Sequence, residues 1–449
     1  MMTSPIIQRV SECFIKPLHP IPESNQNCYL TTWDIAMSSM NYIQKGLLFK
    51  KPNNQQHFIH NLLEKLKHSL SLALFHFYPL SGRLVTQKSQ DPPTYNIFVD
   101  CSNNNSGARF IHATLDATVS DIMTPIDVPS VVKSLFDLNK AINHDGHTMP
   151  LLSIQVTELV DGVFIGCSMN HYIGDGTSYW NFFNTWSEIF QGQGHDVRIS
   201  RQPSHIRWFP EGYGPLINLP FKHHDEIITR YEPPKLRERF FHFTAESIAK
   251  LKAKANMESN TNKISSFQSL SAHVWRGITR ARDLTNDQVT TCMLAVNNRP
   301  RMKPPLPKEY FGTSVDTVSV KTTVGELLEN DLGWAAWKVH SAVANHVDLE
   351  IRKMVKKWLE SPMILSLKHH FDAGSVAMIS SPRFNMYGNE FGMGKPVAVL
   401  SGYANKCDGN VTAYEGHEGG GSMDLEISLS PNVMRALELD QNFMNAVSL

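Results

Sequence analysis

Residues 151–190, LLSIQVTELVDGVFIGCSMNHYIGDGTSYWNFFNTWSEIF, leave the chain few choices of fold. Two apolar runs rich in β-branched residues flank Asp161-Gly162, a dipeptide suited to a tight hairpin turn because both residues tolerate φ > 0. The pattern predicts two buried strands, the second running from Val163 to Met169. It ends at Asn170-His171-Tyr172-Ile173-Gly174-Asp175-Gly176, where Thr177 or Ser178 is placed to cap a following helix. Trp180, Phe183, Trp186 and Phe190 then fall near one helical face. A histidine is thus delivered at the end of a buried strand, on a turn through two glycines. Such a position is rigid yet opens beyond the sheet edge, which suits a general base.

With 20 histidines in the chain, about one HxxxD is expected by chance. Two occur, His112 to Asp116 and His171 to Asp175. Only the second has the glycines and the strand–turn–helix setting, so His112 is read as structural and His171 as catalytic.

A chain of 449 residues is too long for one ordinary core, and two domains are expected. Lys plus Arg and Asp plus Glu balance at 42 each, so no bulk field draws the protein to nucleic acid or membrane. Cysteines 13, 28, 101, 167, 292 and 407 are scattered without a CxxC pair, the usage of reduced thiols in a cytoplasmic protein. No long apolar segment suggests a signal peptide or membrane span.

In chain order, residues 6–17 read as a strand closed by Pro17, and Thr32 or Asp34 caps a short helix. Residues 54–77 form an amphipathic helix through Phe58, Leu62, Leu66 and Leu70. Arg83, after the following turn, is expected to serve as a buried ion-pair partner, and Asn103 to Gly107 form a surface turn. Residues 191–225 crowd glycine and proline and read as a crossover between domains. This divides the chain into 1–200, a linker at 201–225, and 226–449. Strand and helix signals resume at 235–243, 245–256 and 264–282. The start of the last, at Ser265 and Ser266, offers backbone N–H groups to a phosphate, although an ordinary N-cap is the favoured reading. Residues 293–301 end a strand in Arg299 and Arg301, and a glycine-dense loop covers 381–396. Strands and helices interleave without a regular βαβ rhythm, which predicts an α/β chain of mixed sheets with helices packed on them.

His171-Tyr-Ile-Gly-Asp175-Gly176 and Glu390-Phe391-Gly392-Met393-Gly394, about 215 residues apart, resemble the HxxxDG and DFGWG motifs of the plant BAHD acyltransferases. The Thr32-Trp33-Asp34 start, Phe77 to Leu84, Ser265 to Ser271, Asn297 to Arg301, Pro304 to Pro307 and Tyr310 to Gly312 fit the same family, in order, along the whole chain. The resemblance implies two chloramphenicol-acetyltransferase-like domains with a tunnel between them, in which coenzyme A enters from one face and the acceptor from the other. It implies a monomer of plant specialised metabolism with no tightly bound cofactor, whose partners are an acyl-CoA co-substrate and a small-molecule acceptor. His171 would be the general base. Asp175, between Gly174 and Gly176, would pair with an arginine, either Arg299 or Arg301. The distal loop of Glu390, Phe391, Gly392 and Gly394 would lie away from the chemistry. The chain departs from the pattern at Asn170, where many members carry a first histidine, and at Glu390 and Met393, which replace Asp and Trp.

Acyl transfer from a thioester to a hydroxyl or amine needs a base for the acceptor proton and donors for the oxyanion. Imidazole, with an ordinary pKa near 6.5, is available as that base at neutral pH. No GxSxG elbow is present, so direct attack in a ternary complex is expected over an acyl-enzyme. Ser380, Ser381 and Arg383 are candidates for tunnel or oxyanion contacts. The histidine pairs 223–224 and 369–370 lack a third ligand at zinc-like spacing, so no metal is expected. Two other readings compete: a family member diverted to a lyase or intramolecular reaction in the same cavity, and a non-catalytic small-molecule binder.

Overall fold

The computed structural model describes residues 6–52, 57–91, 93–102, 107–192 and 199–448. It contains two six-stranded mixed sheets and one three-stranded sheet. The Asp161-Gly162 turn joins the antiparallel strands Leu152–Glu158 and Gly162–Met169, which lie inside the first sheet. Every residue of Gly162–Met169 is buried, which accounts for its apolar run on both faces. The sheet runs in the order Gln8–Ile15, Ala108–Thr114, Leu152–Glu158, Gly162–Met169, Ile43–Lys50 and Ala398–Ser401. Its last strand comes from the C-terminal half and pairs antiparallel with Ile43–Lys50. The two sheets therefore do not separate at the 201–225 segment.

The second sheet runs Val315–Thr323, Val289–Asn297, Ser375–Ile379, Asn410–Glu415, Met423–Leu429 and Arg237–Phe243. Helices Ala245–Glu258, Ser266–Ala281 and Leu332–Asn345 pack together over it, around Trp275, Leu270, Ala335 and Val339. The first core gathers around helices Phe58–His76 and Gly176–Gln191, where Trp186 Nε1 donates to Ser69 Oγ at 3.0 Å. Fully buried side chains such as Trp186, Trp275 and Phe182 each contribute about 1.5–3 kcal/mol of burial.

Several local expectations are corrected. Thr31, not Thr32 or Asp34, caps helix Thr32–Ala36, and Asp34 completes a capping box from the N3 position. Asp175, not Thr177 or Ser178, caps Gly176–Gln191, because its carboxylate accepts from both of their backbone N–H groups. The long N-terminal helix covers Phe58–His76, and residues 54–56 lie outside the described residues, as does the turn at 103–106. Residues 199–231 form no strand and no helix beyond the short turn His224–Glu226, and Ser204 bridges Tyr310 of the C-terminal half. All six cysteines are unpaired. Among the described residues no helix is long and apolar enough to cross a membrane.

Candidate active site

His171 follows the buried strand Gly162–Met169 by two residues and is held by its backbone. Its N–H donates to Asn143 Oδ1 at 2.7 Å, and its carbonyl accepts from Thr313 Oγ1 at 2.9 Å. The residue is half-buried, and Nδ1 is enclosed without a hydrogen-bond partner. Burial lowers its proton affinity below that of an ordinary histidine; the Asp175 charge, its own carbonyl and Asp34 oppose this. The shift favours the neutral imidazole, the form that offers a lone pair.

Asp175 does not face a solvent cavity. It is buried, caps the helix and meets Arg299 in a two-point ion pair, Nη1 to Oδ2 at 2.7 Å and Nη2 to Oδ1 at 3.0 Å. Ser314 N–H donates to Oδ2 at 3.0 Å. Burial alone would raise the Asp175 carboxyl, but Arg299 and the Ser314 and Ser178 N–H groups hold it below the ordinary carboxylate range. Arg299 also donates to the carbonyls of Gly312 and Tyr310, at 2.8 and 3.1 Å, and to Ser178 Oγ at 3.2 Å. Gly174 is required by this packing: a Cβ there would stand 2.4 Å from Ser178 Cβ. Of the two candidate arginines, Asp175 takes Arg299. Arg301 turns away, giving Nη1 to the carbonyls of Val343 and His346, both at 2.8 Å.

A second buried pair, missed in the sequence, lies beside the first. Arg207 approaches Asp34 through Nη1 at 3.2 and 3.3 Å and donates through Nη2 to the Ile173 carbonyl at 3.2 Å. Asp34 Oδ1 accepts from Thr313 N–H at 2.9 Å, so the chain of contacts returns to His171. Gly312 makes room for Arg207, whose Nη1 would lie 1.9 Å from a Cβ at that position. The Thr-Trp-Asp start held half of this signal; nothing local marked Arg207 among the glycines and prolines of its segment.

The other expected residues are spread more widely. Phe391 is fully buried among Phe49, Phe183, Trp186 and Phe190, with ring centroids 4.7–6.4 Å apart. Its helical partners lie about 12–22 Å along Gly176–Gln191 from Asp175. Phe391 and Gly392 both take positive φ, 44° and 73°, and Gly394 follows at 78°. Glu390 is exposed, so its extra methylene meets little. Ser380 and Ser381 are half-buried at the end of Ser375–Ile379, and Arg383 is exposed. Phe384 comes nearer the turn: a Cβ on Gly176 would meet its ring at 3.2 Å. Ser265 is an N-cap in a capping box with Gln268, and Ser266 opens the helix. Arg83 donates to the carbonyls of Gly82 and Gly107 at 2.7 and 3.1 Å. His112 is a strand residue in Ala108–Thr114. The side chains of residues 369 and 370 lie outside the described residues.

Residues 7–444 match the Transferase family. The chain is 37% identical to an uncharacterized acetyltransferase of Arabidopsis thaliana, over 97% of this chain and 98% of that protein. It is 34% identical to the BAHD acyltransferase DCR of the same plant, over 98% and 92% of the two chains. Among solved structures, vinorine synthase aligns with a TM-score of 0.76 at 19% identity, covering 99% of both chains. F. sporotrichioides TRI101, solved with coenzyme A and T-2, aligns at 0.73 and 18% identity, over 94% of this chain and 99% of that one.

Proposed function

Because the chain belongs to the Transferase family of plant BAHD acyltransferases, we propose that it moves an acyl group from a coenzyme A thioester to a hydroxyl or amine of a small molecule, with His171 as general base. The observation that carries this reading is the placement of His171: a half-buried residue on the turn after the strand, fixed through both its N–H and its carbonyl, with its proton affinity lowered by burial. The coenzyme A bound by TRI101 supports the choice of donor.

In this mechanism the free lone pair is that of Nε2, since Nδ1 is enclosed. Nε2 takes the acceptor's proton as the acceptor oxygen or nitrogen attacks the thioester carbonyl. The tetrahedral intermediate then collapses, the carbon–sulfur bond breaks, and the imidazolium returns the proton to the leaving thiolate. No net proton is taken up or released. Asp175 takes no part in the proton transfer; paired with Arg299, it fixes the turn that carries the base. General base catalysis of this kind contributes about 10²–10⁴ in rate.

The test is thiol release from a panel of acetyl-, malonyl-, benzoyl- and hydroxycinnamoyl-CoA, with a plant metabolite extract supplying acceptors. Acceptor-dependent release that His171→Ala abolishes, in a protein that still folds, supports the proposal. Mass spectrometry of the product then distinguishes O- from N-acylation. Silence with every donor, or a His171→Ala variant with full activity, overturns it.

A further inference from the structure

A lysine stands inside the first sheet, where the proposed chemistry has no use for it. Lys45 belongs to Ile43–Lys50, a strand flanked by Gly162–Met169 on one edge and Ala398–Ser401 on the other, and it pairs with Cys167 and Ser401. Its carbonyl accepts from Tyr179 Oη at 2.8 Å. The main chain is therefore covered, and the surface that this half-buried residue keeps belongs to its side chain. Paired residues share a sheet face, so Lys45 lies on the face of Cys167 and Met169, which precede His171 by four and two residues. The separation is about 13 Å of strand, within the length of a small-molecule substrate.

The ammonium joins a buried group of charges drawn from both sheets. Lys45 Nζ donates to Tyr414 Oη at 2.9 Å, and Tyr414 Oη donates in turn to Glu426 Oε2 at 2.6 Å. Glu426 also accepts from Ser401 Oγ at 2.5 Å and is ion-paired with Lys406. Glu238 is met by Lys133 at 2.6 Å and by Lys406 at 3.4 Å. Three ammonium groups thus face two carboxylates, and each carboxylate already has a lysine of its own. Lys45 is the surplus: among the described residues no carboxylate forms an ion pair with it, and Tyr414 occupies one of its three N–H groups. A charge enclosed without a counter-charge is costly. Burial pushes this ammonium down to about 7 against the pull of Glu426, with Lys406 adding to the fall.

Packing does not ask for a lysine here, since Leu47 and Phe49 on the same face of the strand are apolar core residues. A residue that breaks the local pattern at such expense points to function. A carboxylate brought by a ligand supplies the missing counter-charge and takes up the spare N–H groups in charge-assisted hydrogen bonds. We propose that Lys45 is a specificity-determining residue of the His171 site, receiving a carboxylate carried by the acyl group or by the acceptor. The inference rests on the acyl-transfer reading above and narrows its substrates to pairs in which one member is a carboxylic acid.

The test follows the products. Thiol release is run with the donor panel extended by succinyl- and glutaryl-CoA, with the plant metabolite extract as acceptor source. Mass spectrometry then locates the free carboxylate in the acyl half or the acceptor half of the product. For the substrate that carries it, Lys45→Met and Lys45→Gln should each raise KM by about ten- to a hundredfold with kcat nearly unchanged. KM for the other substrate should stay in place, and the methyl ester of the acid should no longer distinguish wild type from variant. Lys45→Arg, which keeps the charge, should retain part of the preference. Melting temperatures no lower than wild type are expected, because the variants lose an unpaired enclosed charge. Products without a carboxylate in either half, or an unchanged KM in the folded Lys45 variants, would overturn the assignment and leave acyl transfer standing. No transfer by the wild-type protein with any donor would overturn the acyl-transfer reading and this one with it.

Discussion

Asp34 and Arg207 meet in a buried ion pair that grips the His171 turn opposite the grip of Asp175 and Arg299. The pair is among the least exposed in the protein, with side chains 0% and 5% accessible. Its members come from distant segments, a short N-terminal helix and the extended crossover. Arg207 fixes the Ile173 carbonyl, and Asp34 fixes Thr313, which in turn fixes the His171 carbonyl. Asp175 and Arg299 fix the start of the helix that follows. His171, the proposed base, is therefore clamped on both sides by buried charges, and neither clamp needs to touch substrate.

Replacing Asp34 with Asn should leave Arg207 buried without its counter-charge, at a cost of about 3–5 kcal/mol of stability. A second effect follows from electrostatics. Asp34 raises the His171 proton affinity, so removing its charge lowers that affinity further. The acid limb of the pH–rate profile should move to lower pH. Urea unfolding measures the first effect and the pH dependence of kcat/KM the second; an unmoved acid limb would place Asp34 in a purely structural role.

Asp175→Ala removes a helix cap and an ion-pair partner together. Breaking the pair costs about 3–5 kcal/mol and losing the cap about 1 kcal/mol more. Both melting temperature and turnover should fall. Arg299→Lys should not rescue the site, because a single ammonium cannot reproduce the two-point contact with Asp175 and the donations to Gly312, Tyr310 and Ser178. Calorimetry on both variants tests this, and a lysine variant that melts like wild type would contradict it.

What the sequence made legible was the local part of this design. The hairpin at Asp161-Gly162, the apolar helix beyond it and the position of His171 on the turn between strand and helix all follow from patterns within about 40 residues. The misreadings share one cause. Thr177 and Ser178 are cap types, but Asp175, which ranks with them as an N-cap, precedes them by two and three residues and is already held by Arg299. Thr31 took the cap from Thr32 for a similar local reason, since only it pairs reciprocally with Asp34. Arg207 and the edge strand Ala398–Ser401 depend on contacts across the chain, which no window of sequence displays. Phe391 was placed in the right loop, but its burial against helix Gly176–Gln191 could not be read from glycine spacing.

Phe391 anchors the distal loop rather than the chemistry. Phe391→Ala should cost about 3–5 kcal/mol by opening a cavity among Phe49, Phe183, Trp186 and Phe190. Activity per folded molecule should stay near wild type at low temperature. Glu390→Gln, at an exposed position, should change neither quantity. Chemical denaturation and active-site-normalised rates separate the two cases, and a large fall in kcat for Phe391→Ala with stability unchanged would refute the anchoring role.

Acid should destabilise the fold through His273. Its ring stacks on Phe443 at 5.4 Å, and Nε2 lies 3.3 Å from the Phe443 carbonyl. Burial pushes this imidazole down from 6.5 to about 4, so the folded protein refuses a proton that the unfolded chain accepts. The sign follows: the stabilisation is complete above the unfolded value and is lost as pH falls towards the folded one. Over that interval the loss is roughly 1.4 kcal/mol per pH unit for this group. His205, held in the crossover and likewise pushed down to about 4, adds to the same trend. Thermal unfolding followed from neutral pH down to about 4 should show melting temperature falling in this window. His273→Gln, which keeps a polar atom near the Phe443 carbonyl but cannot be protonated, should flatten the fall; an equally steep decline in that variant would remove His273 from the account.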